Sequence, residues 1–196
     1  MSHFKYLKEK LFVENISVQN IVKKNKTPFY LYSEQQIKTN YLNFKKVFKS
    51  VNPLICFATK ANTNLTIMKI LAKLGSGADV VSGGELLKAL KAGIKPNKIV
   101  FSGVGKTEEE LKLAIKKKIL LINVESESEA LLINRIGKKI NKIISIGFRL
   151  NPNVDAKTHK KISTGKAENK FGISIENFSS FYKKITQFKN LKIDAV

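Results

Sequence analysis

The chain has 196 residues, of which 43% are hydrophobic and 26% charged, and this composition excludes an intrinsically disordered protein. A single cysteine, Cys56, excludes an internal disulfide framework, so the cytoplasm is the expected compartment. One Cys and two His argue against a zinc site, so no metal is expected. The net charge of +21 comes from scattered lysines, with Arg135 and Arg149 the only arginines, which favours a compositional bias over nucleic-acid or membrane binding.

From about residue 53 onward, apolar strand-like runs alternate with amphipathic helical segments. Helices are predicted at about 34–50, 64–74, 83–93, 107–117, 126–137 and 175–187, and capping signals at Thr107 and Ser126 begin two of them. Strands are predicted at 54–59, 78–81, 98–102, 120–124 and 143–150, and residues 191–196 resemble the start of a sixth. The strands start roughly 20 to 25 residues apart, which is the spacing of repeated strand–helix units.

This alternation predicts an α/β protein in which helices cover a parallel sheet. A doubly wound sheet and a (β/α)8 barrel both fit the pattern, and periodicity leaves the choice between them open. A complete barrel has eight strands and about 250 residues, so a barrel of about five to six strands is incomplete in this chain. The polar stretch between Asn151 and Gly172 has no clear periodicity, and loops of that length are usually functional or disordered.

Two glycine-rich segments resemble nucleotide-binding loops but lack the complete motifs. In residues 101–107 (FSGVGKT), the position that requires the first glycine of a phosphate loop is Val100. In residues 75–77 (GSG), the third glycine of a dinucleotide fingerprint is replaced by Val80. Both segments are therefore interpreted as turns at strand–helix junctions.

Lys60 is a candidate catalytic residue because it follows the first strand of the repeated units. The carboxyl ends of parallel strands form the functional face of α/β proteins, and strand alternation places Cys56, Ala58 and Lys60 on the same side. The small residues leave space in front of the amine, and a desolvated lysine can act as a nucleophile toward carbonyl compounds. The alternative is one more solvated lysine in a lysine-rich chain.

Other candidates lie at or beyond the ends of later strands. Arg149 ends the fifth predicted strand, and an arginine in so lysine-rich a chain suggests a geometry that lysine cannot supply, although an ordinary salt bridge is the alternative. Asp79 and Glu85 lie around the end of the second strand, where they could pair with these cations. His159 lies in the long polar stretch, and a surface or hydrogen-bonding role is the commoner alternative to catalysis there.

Seven motifs, in order, resemble those of the diaminopimelate decarboxylases, which belong to the alanine-racemase-like group of pyridoxal-phosphate enzymes. The motifs are 27–33 (TPFYLYS), 58–62 (ATKAN), 79–85 (DVVSGGE), 101–107 (FSGVGKT), 123–127 (NVESE), 149–152 (RLNP) and a composite over 155–172 that contains DAKTH, ISTG and NKFG. The resemblance covers essentially the whole chain, which corresponds to the N-terminal half of a family member. The composite motif favours this family over ornithine and arginine decarboxylases.

The resemblance implies a (β/α)8 barrel that binds pyridoxal 5'-phosphate, followed by a C-terminal β-domain that this chain lacks. Residues 1–33 would join that β-domain through a strand at about 29–33, and residues 34–196 would form part of the barrel. The active site of the family forms at a homodimer interface, so a homodimer is also implied.

The same resemblance implies roles for six residues. Lys60 matches the catalytic lysine that holds the cofactor. Asp79, Glu85 and Arg149 match residues around the cofactor, and His159 and Ser163 fall in a possible active-site loop. The implied reaction is the decarboxylation of meso-2,6-diaminopimelate to L-lysine and CO2, the last step of lysine biosynthesis.

Family members are about twice as long as this chain. The isolated chain is therefore expected to be inactive and poorly soluble, because an open barrel exposes strand edges and apolar helix faces. Two alternatives remain: a related pyridoxal-phosphate decarboxylase that acts on ornithine, arginine or lysine, and an inactive fragment with only generic polyanion affinity. Changing Lys60 to alanine in a complete enzyme separates catalysis from polyanion affinity, because only the first depends on that amine.

Overall fold

The N-terminal part of the chain forms a small antiparallel sheet that the sequence pattern did not predict. In the computed structural model, which describes residues 3–154, 157 and 171–196, this sheet comprises β1 (Phe4–Leu7), β2 (Lys10–Val13) and β3 (Ile16–Ser17). The turn between β1 and β2 places Lys8 and Glu9 at φ values of 47° and 61°. Hairpin turns with two positive φ values are normally predicted from Asn and Gly, so this sequence carries no signal for the hairpin.

A short helix, α1 (Val18–Val22), and an unpaired segment lead to α2 (Glu34–Val47). Ser33 caps α2, and its hydroxyl also donates to the Glu14 carboxylate at 2.7 Å, which joins the small sheet to the helix. Residues 29–33 pair with no strand in the described part of the chain. Their expected pairing with a β-domain therefore stays a prediction.

The next part of the chain follows the predicted strand–helix alternation. Its strands are β4 (Cys56–Ala58), β5 (Gly77–Val80), β6 (Ile99–Phe101), β7 (Leu121–Val124) and β8 (Ile144–Phe148). The helices that follow β4 to β7 are α3 (Leu65–Lys73), α4 (Gly83–Lys91), α5 (Glu108–Lys117) and α6 (Glu127–Lys139). These elements confirm the five predicted strands and the helices between them. No helix within the residues that the structure describes has the length and apolar character needed to cross a membrane.

The fifth predicted strand, 143–150, is interrupted at Arg149. There the chain leaves the main sheet, and β9 (Leu150–Asn151) pairs in parallel with β10 (Ile173–Ser174). Helix α7 (Ile175–Ile185) then leads to β11 (Leu191–Ala195), which pairs in parallel with β8 and confirms the predicted sixth strand.

The strand order decides between the two architectures that the sequence left open. In the described residues the order is β4-β5-β6-β7-β8-β11, so each strand lies beside the strand of the next unit. A doubly wound sheet reverses its direction at a switch point, whereas a (β/α)8 barrel adds strands in one direction. The chain therefore forms a sector of a (β/α)8 barrel.

Alternation along the strands separates a helix-packed core from the interior of the barrel sector. The buried side chains that pack beneath the helices include Ala78, Val80, Ile99, Phe101, Ile122, Val124 and Ile146. Burial of each large apolar side chain contributes roughly 1.5–3 kcal/mol, so this layer stabilises the sheet. The alternating positions Asp79, Val100 and Asn123 face the interior, where a site can form.

Candidate active site

The carboxyl ends of the parallel strands surround a cavity of about 980 Å³. Its polar lining comprises Lys60, Asp79, Ser102, Asn123 and Arg149, and most of the remaining lining is apolar. A pocket with a few convergent polar groups in an apolar lining is the usual form of a small-molecule site. The structure therefore brings three of the predicted site residues, Lys60, Asp79 and Arg149, into one cavity.

Lys60 follows β4 in a single turn of 3-10 helix, Thr59–Ala61. Thr59 is fully buried and anchors this turn, whereas Lys60 is exposed and lines the cavity. Ala58 lies beside Asp79 in the register of β4 and β5, so the end of β4 brings Lys60 to the side of the sheet that Asp79 faces. The Lys60 amine makes no hydrogen bond or ion pair with any residue in the described part of the chain, which leaves it free to react.

Three polar side chains on neighbouring strands form a hydrogen-bonded row along the cavity wall. Ser102 Oγ donates to Asp79 Oδ1 at 2.6 Å, and Asn123 Nδ2 donates to Ser102 Oγ at 3.0 Å. The row fixes the Asp79 carboxylate relative to the sheet. Sequence reasoning identified Asp79 but assigned no role to Ser102 or Asn123, although both occupy interior-facing positions in the strand alternation.

Arg149 lies in the break between β8 and β9, where it pairs with an acid and contacts an aromatic ring. Its Nη1 donates to Glu125 Oε1 at 2.9 Å, and its guanidinium lies over the Phe171 ring, 4.6 Å from the centroid. The Glu125 side chain is only 3% exposed, whereas that of Arg149 is 33% exposed and reaches the cavity. The ordinary salt bridge that the sequence left as the alternative is therefore present, together with an aromatic contact.

A second ion pair lies behind the cavity wall, where both of its members line a separate pocket. The Lys106 side chain is 1% exposed, and its Nζ donates to Glu129 Oε1 at 2.7 Å and to the carbonyl oxygens of Gly103 at 2.6 Å and Asn123 at 2.7 Å. All three ammonium hydrogens therefore have an acceptor. The lysine of the segment that resembles a phosphate loop is thus engaged internally, which supports the interpretation of that segment as a turn.

Glu85 is not among the residues that line the cavity. Its Oε2 accepts a hydrogen bond from the Val81 N–H at 2.9 Å, and its own N–H donates to Ser82 Oγ at 3.2 Å. These contacts cap the start of α4. The cofactor-binding role expected for Glu85 stays a prediction.

Cys56 lies on the interior-facing side of β4, in register with Gly77. Burial raises the pKa of the Cys56 thiol, the charge of Asp79 adds to the rise, and the charge of Lys98 opposes it. The thiol donates to the Lys98 carbonyl oxygen at 3.8 Å. A thiol that is protonated at neutral pH is a poor nucleophile.

His159 and Ser163, which were predicted for an active-site loop, lie outside the described residues. Phe171 and Gly172 follow that segment, and both contact the Arg149–Glu125 pair: Phe171 through its ring and Gly172 through an N–H that donates to Glu125 Oε2 at 3.1 Å. Among the residues that are described, no group of three or more His, Cys, Asp or Glu side chains is arranged to hold a metal ion.

Known proteins share both the sequence and the fold of this chain. A sequence model of the family described as pyridoxal-dependent decarboxylase, pyridoxal binding domain, matches residues 34–196. A diaminopimelate decarboxylase from Aquifex aeolicus is 44% identical over 194 residues, which is 99% of this chain and 46% of that protein. A diaminopimelate decarboxylase from Helicobacter pylori (strain J99) is 57% identical over 148 residues, which is 76% of this chain and 36% of that protein. The chain spans less than half the length of these curated relatives.

A solved structure extends the similarity to three dimensions. The crystal structure of diaminopimelate decarboxylase from M. jannaschii in complex with L-lysine matches this chain with a TM-score of 0.90 at 39% sequence identity. The match covers 98% of this chain and 46% of that one. The barrel sector therefore belongs to a fold that the two proteins share over nearly the whole length of this chain.

Proposed function

The chain belongs to the family of pyridoxal-dependent decarboxylases, and from this premise we propose that the protein decarboxylates meso-2,6-diaminopimelate. The products are L-lysine and CO2, and the reaction is the last step of lysine biosynthesis. The observation that carries the proposal is the free amine of Lys60 in a strand-end cavity that also contains Asp79 and Arg149. The choice of substrate is supported by the 44% identity, over 99% of the chain, to an enzyme of that name.

The residues of the cavity fit pyridoxal 5'-phosphate. An aldehyde cofactor that is held covalently needs a primary amine without another partner, and Lys60 provides one. A volume of about 980 Å³ lies at the upper end of the range for small-molecule sites, which leaves space for a cofactor together with a substrate. When bound, the cofactor supplies an electron sink for the electron pair that departing CO2 leaves behind.

The side chains of the cavity bind, orient and move protons. Lys60 Nζ binds the cofactor and, when released, can take up or give a proton. Asp79, held by Ser102, presents a fixed carboxylate to a cationic nitrogen. Arg149, held by Glu125, presents a fixed cation to an anionic oxygen of the cofactor or substrate. The apolar part of the lining lowers the effective dielectric constant around a bound ligand and so strengthens these electrostatic contacts.

Substituting Lys60→Ala in the complete native protein tests the proposal. We expect the variant to lose both covalent cofactor binding, followed by absorbance, and lysine formation, followed by mass spectrometry. Lys69→Ala is a matched control, because Lys69 is an exposed lysine on the neighbouring helix α3. Lysine formation by the Lys60→Ala variant at the wild-type rate would contradict the proposal.

A substrate panel distinguishes the proposal from its alternatives. We expect turnover of meso-2,6-diaminopimelate and no comparable turnover of ornithine, arginine or lysine. Preference for one of those three amino acids would instead place the protein among the related decarboxylases. Retention on a polyanion column should be the same for wild type and Lys60→Ala, because one lysine contributes little to a net charge of +21.

We further propose that Asp79, Glu85 and Arg149 contribute to cofactor binding and that His159 and Ser163 act from an active-site loop. The cavity supports Asp79 and Arg149, and the family resemblance supports the other three. Alanine substitution at each position, followed by cofactor titration, should weaken binding or turnover. Wild-type behaviour of a variant removes that residue from the site.

The family resemblance also supports a homodimer in which residues 1–33 pack against a β-domain, and the single cysteine supports the cytoplasm as the compartment. Tyr30 is 91% exposed and Tyr32 is 54% exposed, so this segment offers apolar surface for such a contact. Light scattering on the native protein should give twice the mass of one chain, and cell fractionation should place the protein in the cytoplasm. The isolated 196-residue chain should form no lysine, and activity of that chain alone would contradict this part of the proposal.

A further inference from the structure

Four charged residues, linked by two ion pairs and one backbone hydrogen bond, lead from a second pocket behind the cavity wall to the cavity, and we call this set the charge chain. Its members are Lys106, Glu129, Glu125 and Arg149. At the inner end, the buried Lys106 ammonium donates to Glu129 Oε1 at 2.7 Å. The other carboxylate oxygen of Glu129 accepts from the backbone N–H of Glu125 at 3.0 Å, so the inner ion pair fixes the backbone at Glu125.

Glu125 transmits this constraint to the cavity. Its Oε1 accepts from Arg149 Nη1 at 2.9 Å, and its Oε2 accepts from the Gly172 N–H at 3.1 Å, so both oxygens have a partner. Lys106 also donates to the carbonyl oxygen of Asn123, and this bond fixes the end of β7 on the other side of Glu125. Of the four members of the charge chain, only Arg149 lines the cavity.

The charge chain is electrically balanced, with two cations and two acids. The side chains of Lys106, Glu125 and Glu129 are 1%, 3% and 10% exposed. Removing one partner of a buried ion pair leaves an uncompensated charge, which is far less favourable than losing both partners. Without the Lys106 charge, Glu129 loses its ion-pair partner, and the cations left near the two acids are Arg149 and Arg135, which lines the same pocket as Glu125 and Glu129. We expect the excess negative charge to draw the Arg149 guanidinium inward and away from the cavity.

We propose that Lys106 and Glu129 are positioning residues that keep the Arg149 guanidinium directed into the cavity, acting through Glu125. This inference rests on the proposed function only in one respect, namely that an anionic oxygen of the cofactor or substrate contacts Arg149. Neither Lys106 nor Glu129 touches the reacting atoms. Their role is to set the charge and the orientation of a residue that does contact the ligand.

The test compares Lys106→Met, Glu129→Gln and the double variant in the complete native protein. Met keeps the length of the lysine stem but removes the charge. For Lys106→Met we expect the Kd for pyridoxal 5'-phosphate, titrated by absorbance on cofactor-free protein, or the KM for diaminopimelate to rise about tenfold, with a smaller change in kcat. A rise in Kd assigns Arg149 to the cofactor, and a rise in KM alone assigns it to the substrate.

Rescue by a second substitution separates positioning from simple loss of packing. The double variant K106M/E129Q lacks the unpaired acid, so its Kd and KM should return to within about threefold of the wild-type values. A packing defect at Lys106 would not be repaired by changing the charge of Glu129. Failure of the double variant to improve on Lys106→Met overturns the inference, as do wild-type Kd and KM values in Lys106→Met. The cofactor titration needs no turnover, so it decides the inference even where decarboxylation fails.

Two further variants complete the experiment. Lys112→Met removes the same charge from the exposed pair with Glu108 and should leave Kd and KM unchanged. If melting curves show that Lys106→Met does not fold, the isosteric Glu125→Gln carries the test. Both oxygens of Glu125 accept hydrogen bonds, one from Arg149 and one from the Gly172 N–H, whereas the amide nitrogen of a glutamine can only donate. One of these two bonds is therefore lost in Glu125→Gln, and we expect Kd or KM to rise about tenfold. Wild-type ligand affinities in a folded Glu125→Gln variant overturn the inference.

Discussion

Replacing Ser102 with alanine should loosen the cavity wall, because its hydroxyl connects Asp79 on one neighbouring strand to Asn123 on the other. The Ser102 hydroxyl donates to the Asp79 carboxylate at 2.6 Å and accepts from the Asn123 amide at 3.0 Å. A hydrogen bond to a charged group contributes about 1.5–3 kcal/mol, and a neutral one about 0.5–1.5 kcal/mol. Since water in the open cavity can replace the lost hydroxyl in part, we expect the free energy of unfolding to fall by about 1–2.5 kcal/mol.

Urea unfolding of the complete native protein measures this loss. Ser180→Ala is the matched control, because the exposed Ser180 hydroxyl donates within its own helix, to the Asn177 carbonyl oxygen at 2.9 Å. Its removal should change stability by less than about 0.5 kcal/mol. A double-mutant cycle of Ser102→Ala with Asn123→Ala should show a coupling of at least about 0.5 kcal/mol. If Ser102→Ala costs no more than Ser180→Ala, the hydrogen-bonded row does not hold Asp79 and the reasoning is refuted.

Gly137→Ala should destabilise the protein by about 1–3 kcal/mol, because the new Cβ in α6 meets a backbone carbonyl oxygen at 2.9 Å. Gly84→Ala is the control and should be neutral or stabilising, because its Cβ has no atom nearer than 3.9 Å. Thermal melting compares the two variants. Because burial raises the pKa of the Cys56 thiol, its reaction with a disulfide reagent should be slow at neutral pH and accelerate only at alkaline pH; rapid labelling at neutral pH contradicts this. Backbone hydrogen bonds lower the pKa of the Glu110 carboxyl, and the bond from the Gly83 N–H has the largest effect. The contribution of Glu110 to stability is therefore complete above the ordinary carboxyl pKa and is lost as the pH falls through the lowered pKa. Glu110→Gln should therefore flatten the loss of stability in acid, followed by urea unfolding at several pH values.

Local patterns in the sequence determined most of the elements of this fold. The helices that begin after Thr107 and Ser126 do so where their caps predict, because a cap is a contact between residues three positions apart. Alternation identified the strands, and the rule that strand ends form the functional face led to Lys60 and Arg149. The hairpin at Lys8 and Glu9 escaped prediction because its turn conformation depends on backbone geometry for which these residue types carry no preference.

Sequence patterns predict the α/β class, the repeated units and the lysine at a strand end, because these features depend on periodicity and on position along one strand. The order of the strands and the partners of the site residues depend instead on contacts between distant parts of the chain. Glu125 pairs with Arg149 across 24 positions of the chain, and Ser102 reaches Asp79 across 23, because neighbouring parallel strands bring their carboxyl ends together. Glu85, which lies close to Asp79 in sequence, instead bonds the backbone at the start of its own helix, since the direction of a side chain depends on the element that carries it.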